Sequence, residues 1–415
     1  MATERATIQN GWKKINLEKE CWFERGMETG ADAYNTEGIG DRFIRVVDVT
    51  ESRDNPIFVD GIHTTKRVKK SDILLTLDGT VGAVRMGLEG IYSTGVRKVS
   101  FRNEEHSNRL LYYLLQSEDI QRTIDLYASG STIKHASSAI PHLVAALPEQ
   151  LVEQNKIADI LELVDQAIEK TDTLTKKYER ISAGMMQDLF RYGIDENGRV
   201  RSENGHEFSN SQLGRIPKSW QVVEYHKTCT AILVGIVIKP TQYYVENGVP
   251  ALRSQNVTEV GINYSDFVYI SEKANRLLCK SVVRSGDIVT VRTGAPGTST
   301  VIPVDLDGVN CIDIIISKPK KNTNPVFLSK YLNSFQGKLQ ILMVQGGVAQ
   351  QHFNVGELKK ILVPLPSFQE QNKIADKFMT VDAQIELEEM RKRKLVKIKS
   401  GLMSSLLTGA VRIGK

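Results

Sequence analysis

The sequence predicts an α+β chain with a pseudo-two-fold internal repeat, in which each of two β-rich blocks is followed by one long helix and the two helices pair as a coiled coil. Three observations carry this. The heptapeptide Glu-Gln-Asn-Lys-Ile-Ala-Asp occupies residues 153–159 and returns unchanged at 370–376, an offset of 217 (370 − 153) in a chain of 415 residues. Each copy opens a stretch of helical composition well beyond the ~25 residues of an ordinary globular helix. Landmarks in the blocks also recur in order: Trp12 matches Trp220 and Arg45 matches Arg253 at an offset of 208, residues 72–82 match 287–297 at 215, and His135 matches His352 at 217. Offsets that rise in one direction mean small insertions in the second copy against a kept order.

The first block spans residues 1–148. Strands are expected at 43–47, 73–77 and 96–101, a helix at 109–127, and a polar loop at 129–135. The first long helix follows at 149–192. Its rows Ile157, Val164, Thr171, Tyr178, Met185 and Ile160, Ala167, Leu174, Ile181 read as an a/d seam. A second shared stripe starts with Leu161 and Ile168, matched by Phe378 and Ile385 in the second copy. Residues 193–214, rich in Gly, Asn, Ser and Glu, read as a linker or surface excursion, and the second block runs from 215 to 366.

The second long helix occupies 367–415, with the row Ile374, Val381, Glu388, Leu395, Leu402. Ser367 and Glu370 have the spacing of a capping box, and Gly193 and Gly409 sit where helix-ending glycines belong. The basic run 391–394 is expected to complement the helix C-terminus and to pair with acids across the coil. A helix of roughly 40 residues is about 60 Å long, too long for one globular core, so each helix is the natural partner of the other.

Composition narrows the function. A net charge of +5 permits nucleic acid without demanding it. No apolar run approaches the ~18 residues of a membrane span, and residues 1–12 are too polar for a secretory signal. Cys21, Cys229, Cys279 and Cys311 form no CxxC pair and read as reduced thiols of a cytoplasmic protein, with no metal site. No phosphate loop, Asn/Asp-Pro-Pro-Tyr/Phe motif, His-Glu-x-x-His helix or Gly-x-Ser-x-Gly elbow occurs, so no catalytic residue and no cofactor are expected.

The order of elements, the repeated heptapeptide, the strand-turn phrase at 287–297 and Leu-Gly-Arg-Ile-Pro-Lys-Ser-Trp at 213–220 together resemble the specificity subunit of type I restriction-modification systems. The resemblance covers nearly the whole chain. The first block departs from it: it lacks the Leu-Gly-x-Ile-Pro lead, and Asp78-Gly79 stands where the second block has Thr293-Gly294. The resemblance implies that each block is a target recognition domain for one half of a split double-stranded DNA site. It also implies that the helices pair antiparallel as a spacer docking two methyltransferase subunits, and through them restriction subunits, with no membrane partner. A stand-alone DNA-binding regulator is the alternative.

Bases are read by Arg, Asn and Gln, and phosphates are held by Lys and Arg. In the first block the DNA-contact candidates are Arg45, the basic run Lys66, Arg67, Lys69 and Lys70, and the loop residues Ser131, Thr132, Lys134 and His135. In the second they are Arg253, Gln255, Asn256, Arg292, Thr293, Gln350, Gln351 and His352.

Overall fold

The computed structural model describes residues 9–51, 55–345 and 352–413. The chain divides into two compact units, residues 1–171 with 391–415, and residues 172–390. The boundary cuts both long helices, Leu151–Tyr192 and Phe368–Leu406, so each unit owns one block and one half of each helix.

The two units are built alike. In the first, a four-stranded sheet has the order Cys21–Arg25, Val96–Phe101, Ile73–Thr76, Val84–Arg85. In the second, Cys229–Val234, Ile314–Pro319, Ile288–Val291 and Ser299–Val301 repeat that order. All four residues are buried in both Ile73–Thr76 and Ile288–Val291, so both faces of these strands are covered, with Thr76 and Thr290 as the single polar residue of each. A second sheet in each unit contains a parallel pair, Asp41–Ile44 with Gly90–Tyr92 in the first unit and Val249–Leu252 with Asn310–Cys311 in the second. Each block is closed by an antiparallel pair, Trp12–Asn16 with Val144–Pro148 and Gln221–Glu224 with Leu362–Leu365, which delivers the chain to the start of its long helix.

The heptapeptide is the device that fixes each helix to its block. Gln154 donates to the Pro148 carbonyl at 2.8 Å and accepts from the Ser107 amide at 2.8 Å; Gln371 donates to the Pro366 carbonyl at 3.0 Å and accepts from the Asn324 amide at 2.9 Å. Ser107 and Asn324 are themselves N-caps of the helices Asn108–Leu115 and Pro325–Asn333. One glutamine therefore satisfies two backbone groups at the joint, and Ile157 with Ala158, like Ile374 with Ala375, packs into the core beneath. The leading glutamates are clasped by arginines. Arg201 reaches Glu370 at 2.5 and 3.0 Å, and Arg412 reaches Glu153 at 2.7 and 2.9 Å.

Several local expectations change. Ser367 caps Glu370 N at 3.3 Å, but the Glu370 carboxylate does not return to close a capping box, because it accepts from Arg201, the Ile194 amide and Trp220 Nε1. The 193–214 segment is more than a linker: it supplies Arg201 and begins the hairpin Phe208–Ser211 with Gly214–Pro217. The expected strand at 43–47 stops at Ile44, since Asp48 accepts from the Arg45 amide and turns Val46–Thr50 into a short helix. The expected helix at 109–127 breaks into Asn108–Leu115 and Glu118–Tyr127. Gly193, at φ 63°, directly follows the end of its helix as expected, whereas the second helix ends at Leu406 and Gly409, at φ 74°, lies in the turn three residues beyond.

Within each unit the two helix halves run in opposite directions. Lys399 pairs with Asp165 at 2.7 Å in the first, and Phe190 stacks on Phe378 with centroids 5.6 Å apart in the second. The buried and half-buried positions give the row Ile157, Val164, Thr171, Tyr178, Met185 as expected. Its companion is the stripe expected from Leu161 and Ile168, which continues through Thr175, Ser182 and Leu189; of the row from Ile160, residues Ile160, Ala167 and Leu174 are half-buried at its edge and Ile181 is exposed. The second helix follows the same pattern through Ile374, Phe378, Val381, Ile385, Glu388, Lys392, Leu395, Lys399, Leu402 and Leu406. Four-then-three spacing from the first residue, not three-then-four, sets the stripe.

Candidate nucleic-acid interface

In the first unit several loops converge where Gly90–Tyr92 ends. Its following residues, 93–95, receive the Leu77 amide at the Gly95 carbonyl (3.0 Å), while Arg97 donates to the Thr94 carbonyl at 2.5 Å and to Ser137 Oγ at 2.9 Å. Arg97 also lies 3.6 Å from Asp78, and its burial pulls the guanidinium below its usual pKa. The short strand Lys134–His135 pairs with Asp78–Gly79, and His135 Nδ1 stands 2.7 Å from Asp78 Oδ1. The polar loop 131–135, all exposed, is thereby held beside the strand-turn phrase.

The second unit makes the corresponding arrangement with different side chains. His352 Nδ1 stands 2.7 Å from Thr293 Oγ1, the position equivalent to Asp78. Arg292 binds the Asp313 carboxylate and donates from Nε to the Phe353 carbonyl at 3.3 Å, and the Phe353 amide returns to Arg292 O at 3.0 Å. Asp313, at φ 52°, donates its amide to the Ile236 carbonyl at 3.0 Å, which brings the turn after Ile236 into the same cluster. The equivalence of His135 and His352 read by offset is thus an equivalence of place, each ring facing the seventh residue of the strand-turn phrase, Asp78 or Thr293.

The remaining candidates separate by what holds them. Arg45 and Arg253 occupy one structural role: each is the N-cap residue of a short helical turn, bonded through its amide to Asp48 or Asn256 at 2.9 Å. The Arg45 guanidinium leans on Asp48 at 3.2 Å, and that of Arg253 donates to the Asp266 carbonyl at 2.6 Å. Asn256 is fully buried and spends its amide on the Asn263 and Ser265 carbonyls at 3.1 and 2.9 Å, so its side chain holds a loop and presents no edge to a base. Gln255 beside it is exposed.

Arg67 forms a two-pronged pair with Asp41 at 2.5 Å, which holds its guanidinium charge in an internal bond. Lys69 and Lys70 are exposed and Lys66 half-exposed; the register Arg67 with Ile91 and Val68 with Gly90 carries Lys69 and Lys70 away from the end where the loops meet. Gln350 and Gln351 lie outside the described residues. Sequence reasoning did not select Arg97, Asp78 or Asp313 as site residues. A lone acid inside the apolar run Cys-Ile-Asp-Ile-Ile-Ile at 311–316 was the available signal for Asp313.

Comparison with known proteins adds the following. The model of the type I restriction modification DNA specificity domain matches residues 38–179 and 220–397. The type I restriction enzyme MjaVIII specificity subunit of Methanocaldococcus jannaschii is 27% identical over 355 residues, covering 83% of this chain and 80% of that protein. The EcoBI specificity subunit of Escherichia coli is 22% identical over 419 residues, covering 98% of this chain and 86% of that protein. Among solved structures, the type I restriction-modification S subunit from M. genitalium superimposes with a TM-score of 0.62 at 16% identity, covering 98% of both chains. A chain from a structure describing assembly and conformational transition of the type I R-M system does so with 0.55 at 14% identity, covering 98% of this chain and 100% of that one.

Proposed function

We propose, for a chain that belongs to the type I restriction-modification DNA specificity domain family, that it is the non-catalytic subunit reading a bipartite, asymmetric DNA site. One half-site goes to each block. The observation that carries this reading is the duplicated scaffold with unlike contact residues: the same loops meet at the same place, but with Asp78 and His135 in one unit and Thr293 and His352 in the other. A scaffold repeated to read the same sequence twice would repeat its side chains; unlike side chains on like frames suit two different half-sites.

Among the candidates, Ser131, Thr132, Lys134, His135, Gln255, Thr293 and His352 are exposed and take the DNA-facing role. Arg45, Arg97, Arg253 and Arg292, bonded within the fold, position their loops. Gln350 and Gln351 are carried forward as DNA contacts from the sequence, as are Lys66, Lys69 and Lys70 as phosphate contacts outside the cluster.

Methyl transfer, and cleavage where a restriction subunit joins, belong to partners: two methyltransferase subunits docked on the helices, with restriction subunits bound through them. The helix faces outside the seam support docking, since Leu163, Met379, Leu387, Met390, Val396 and Ile398 are exposed large apolar side chains on helices that already have a packed seam. The test is methylation mapping in cells producing this chain with the methyltransferase encoded beside it. A split motif with unlike halves is expected, and the purified chain alone methylates nothing. A continuous palindromic motif, or methylation by the lone chain, contradicts the reading.

A further inference from the structure

The internal duplication lets each unit serve as the control for the other, and one turn differs between them in a way the fold does not require. In both units a parallel bridge, Met27 with Ser93 and Ile236 with Ile312, leads into a three-residue turn, then a 3-10 helix, Ala31–Ala33 or Pro240–Tyr243, and a two-residue strand. The first unit fills the turn with Glu28-Thr29-Gly30; the second has Val237-Ile238-Lys239. Val237 is 49% and Ile238 75% exposed, while Lys239 is held at φ 42°, a conformation that side-chain-bearing residues rarely adopt. The polar version in the first unit shows that the turn forms without apolar residues at its tip.

The turn belongs to the cluster already described. Ile236, the residue before it, accepts the Asp313 amide at 3.0 Å, and Asp313 in turn holds Arg292, next to Thr293 and His352. Two branched aliphatic side chains in water beside a set of exposed polar contacts match the edge of a base pair that offers both hydrogen-bonding groups and a methyl. In the major groove that edge is thymine, through its 5-methyl.

We propose that Val237 and Ile238 are specificity-determining residues of the second block, contacting the 5-methyl of a thymine in the half-site that this block reads. The assignment rests on the DNA-reading function proposed above. It places an A·T pair in the second half-site; the first block, with Glu28 and Thr29 there, has no pair of branched aliphatic side chains at this turn.

The experiment uses the full chain assembled with its methyltransferase subunits and a duplex carrying the motif found by methylation mapping. Each thymine of both strands is replaced in turn by deoxyuridine, which removes only the methyl. One position in the second half-site weakens binding by about fourfold, the worth of one buried methyl, and none in the first half-site responds to changes in this turn. In the variant Val237→Ser with Ile238→Ser, that position becomes insensitive to uracil and methylation relaxes there. The variant's elution and thermal unfolding, compared with the parent's, establish that it is folded and assembled. The assignment is overturned if no second-half thymine responds, if the variant keeps the parent's sensitivity, or if it loses binding equally at every sequence. Failure of the parent assembly to methylate any bipartite motif brings down the underlying reading, and the assignment with it.

Discussion

Glu370 sits in a pocket of donors: two from Arg201, one from Trp220 and one from the Ile194 amide. Its counterpart Glu153 has Arg412, while Trp12 Nε1 is buried without a hydrogen-bond partner. The Arg201 side chain is 15% exposed and that of Arg412 43%, so the two clasps differ in strength. Glu370→Ala leaves a buried guanidinium uncompensated and is expected to cost about 3–5 kcal/mol. Glu153→Ala is expected to cost roughly 1 kcal/mol, because solvent screens the partner. Hydrogen exchange resolved along the chain checks this, with Glu370→Ala increasing exchange at the start of Phe368–Leu406 much more than Glu153→Ala does at the start of Leu151–Tyr192.

His106 gives a pH dependence. It is buried edge-on to Phe101, at 4.9 Å between centroids, with Nε2 unpartnered, and burial lowers its pKa below the ordinary value of 6.5. The unfolded chain therefore binds the proton more readily than the folded one, so stability from neutral His106 is full above pH ~6.5 and is lost as pH falls from there toward the folded pKa. Melting of the first unit is expected to drop between pH 7.5 and 5.5, and His106→Phe is expected to flatten that drop. Equal slopes in the two proteins would place the dependence elsewhere.

At the scale of elements, the long helices were legible because a seven-residue period survives over more than 20 residues, and the duplication confirmed their phase. The companion row was read two ways, from Ile160 and from Leu161, because three-residue spacing from Ile157 also meets apolar residues, Ile160 and Leu174, while the observed row, opened by Leu161 and Ile168, goes on to contain Thr175, Ser182, Lys392 and Lys399. Lys399 lies there because its ammonium stands 5.5 Å from the centre of the Tyr113 ring and pairs with Asp165 at 2.7 Å. Two element-scale predictions follow from the true phase. Replacing the outward-facing Leu387 and Met390 with Asp is expected to abolish co-purification with methyltransferase while leaving the seam packed; unchanged co-purification would remove these residues from the docking face. Inserting four residues after Leu174 and four after Arg391 lengthens each helix by ~6 Å, and a ruler of this kind widens the gap between half-sites by one to two base pairs at ~3.4 Å each. Methylation mapping that returns the original gap would show that the coil does not set it.

At the scale of the whole molecule, the sequence disclosed the duplication, the family and the correspondence between loops of the two units, because the same residues do the same structural work in both: the glutamines of the heptapeptide at the joints, the arginine caps, the histidines facing the strand-turn phrase. It disclosed less about which side chains face DNA. Asn256 and Arg292 have the chemistry of base readers, yet their hydrogen bonds are spent inside the fold, and only the three-dimensional partners reveal that. The same two units make the central claim testable in one measurement. Residues 215–366 are exchanged for the equivalent block of a relative with a different motif, and the methylome of cells producing the hybrid with its methyltransferase is sequenced. Independent reading by two blocks predicts one half-site replaced by the donor's and the other retained. A motif in which both halves change, or neither does, would contradict it.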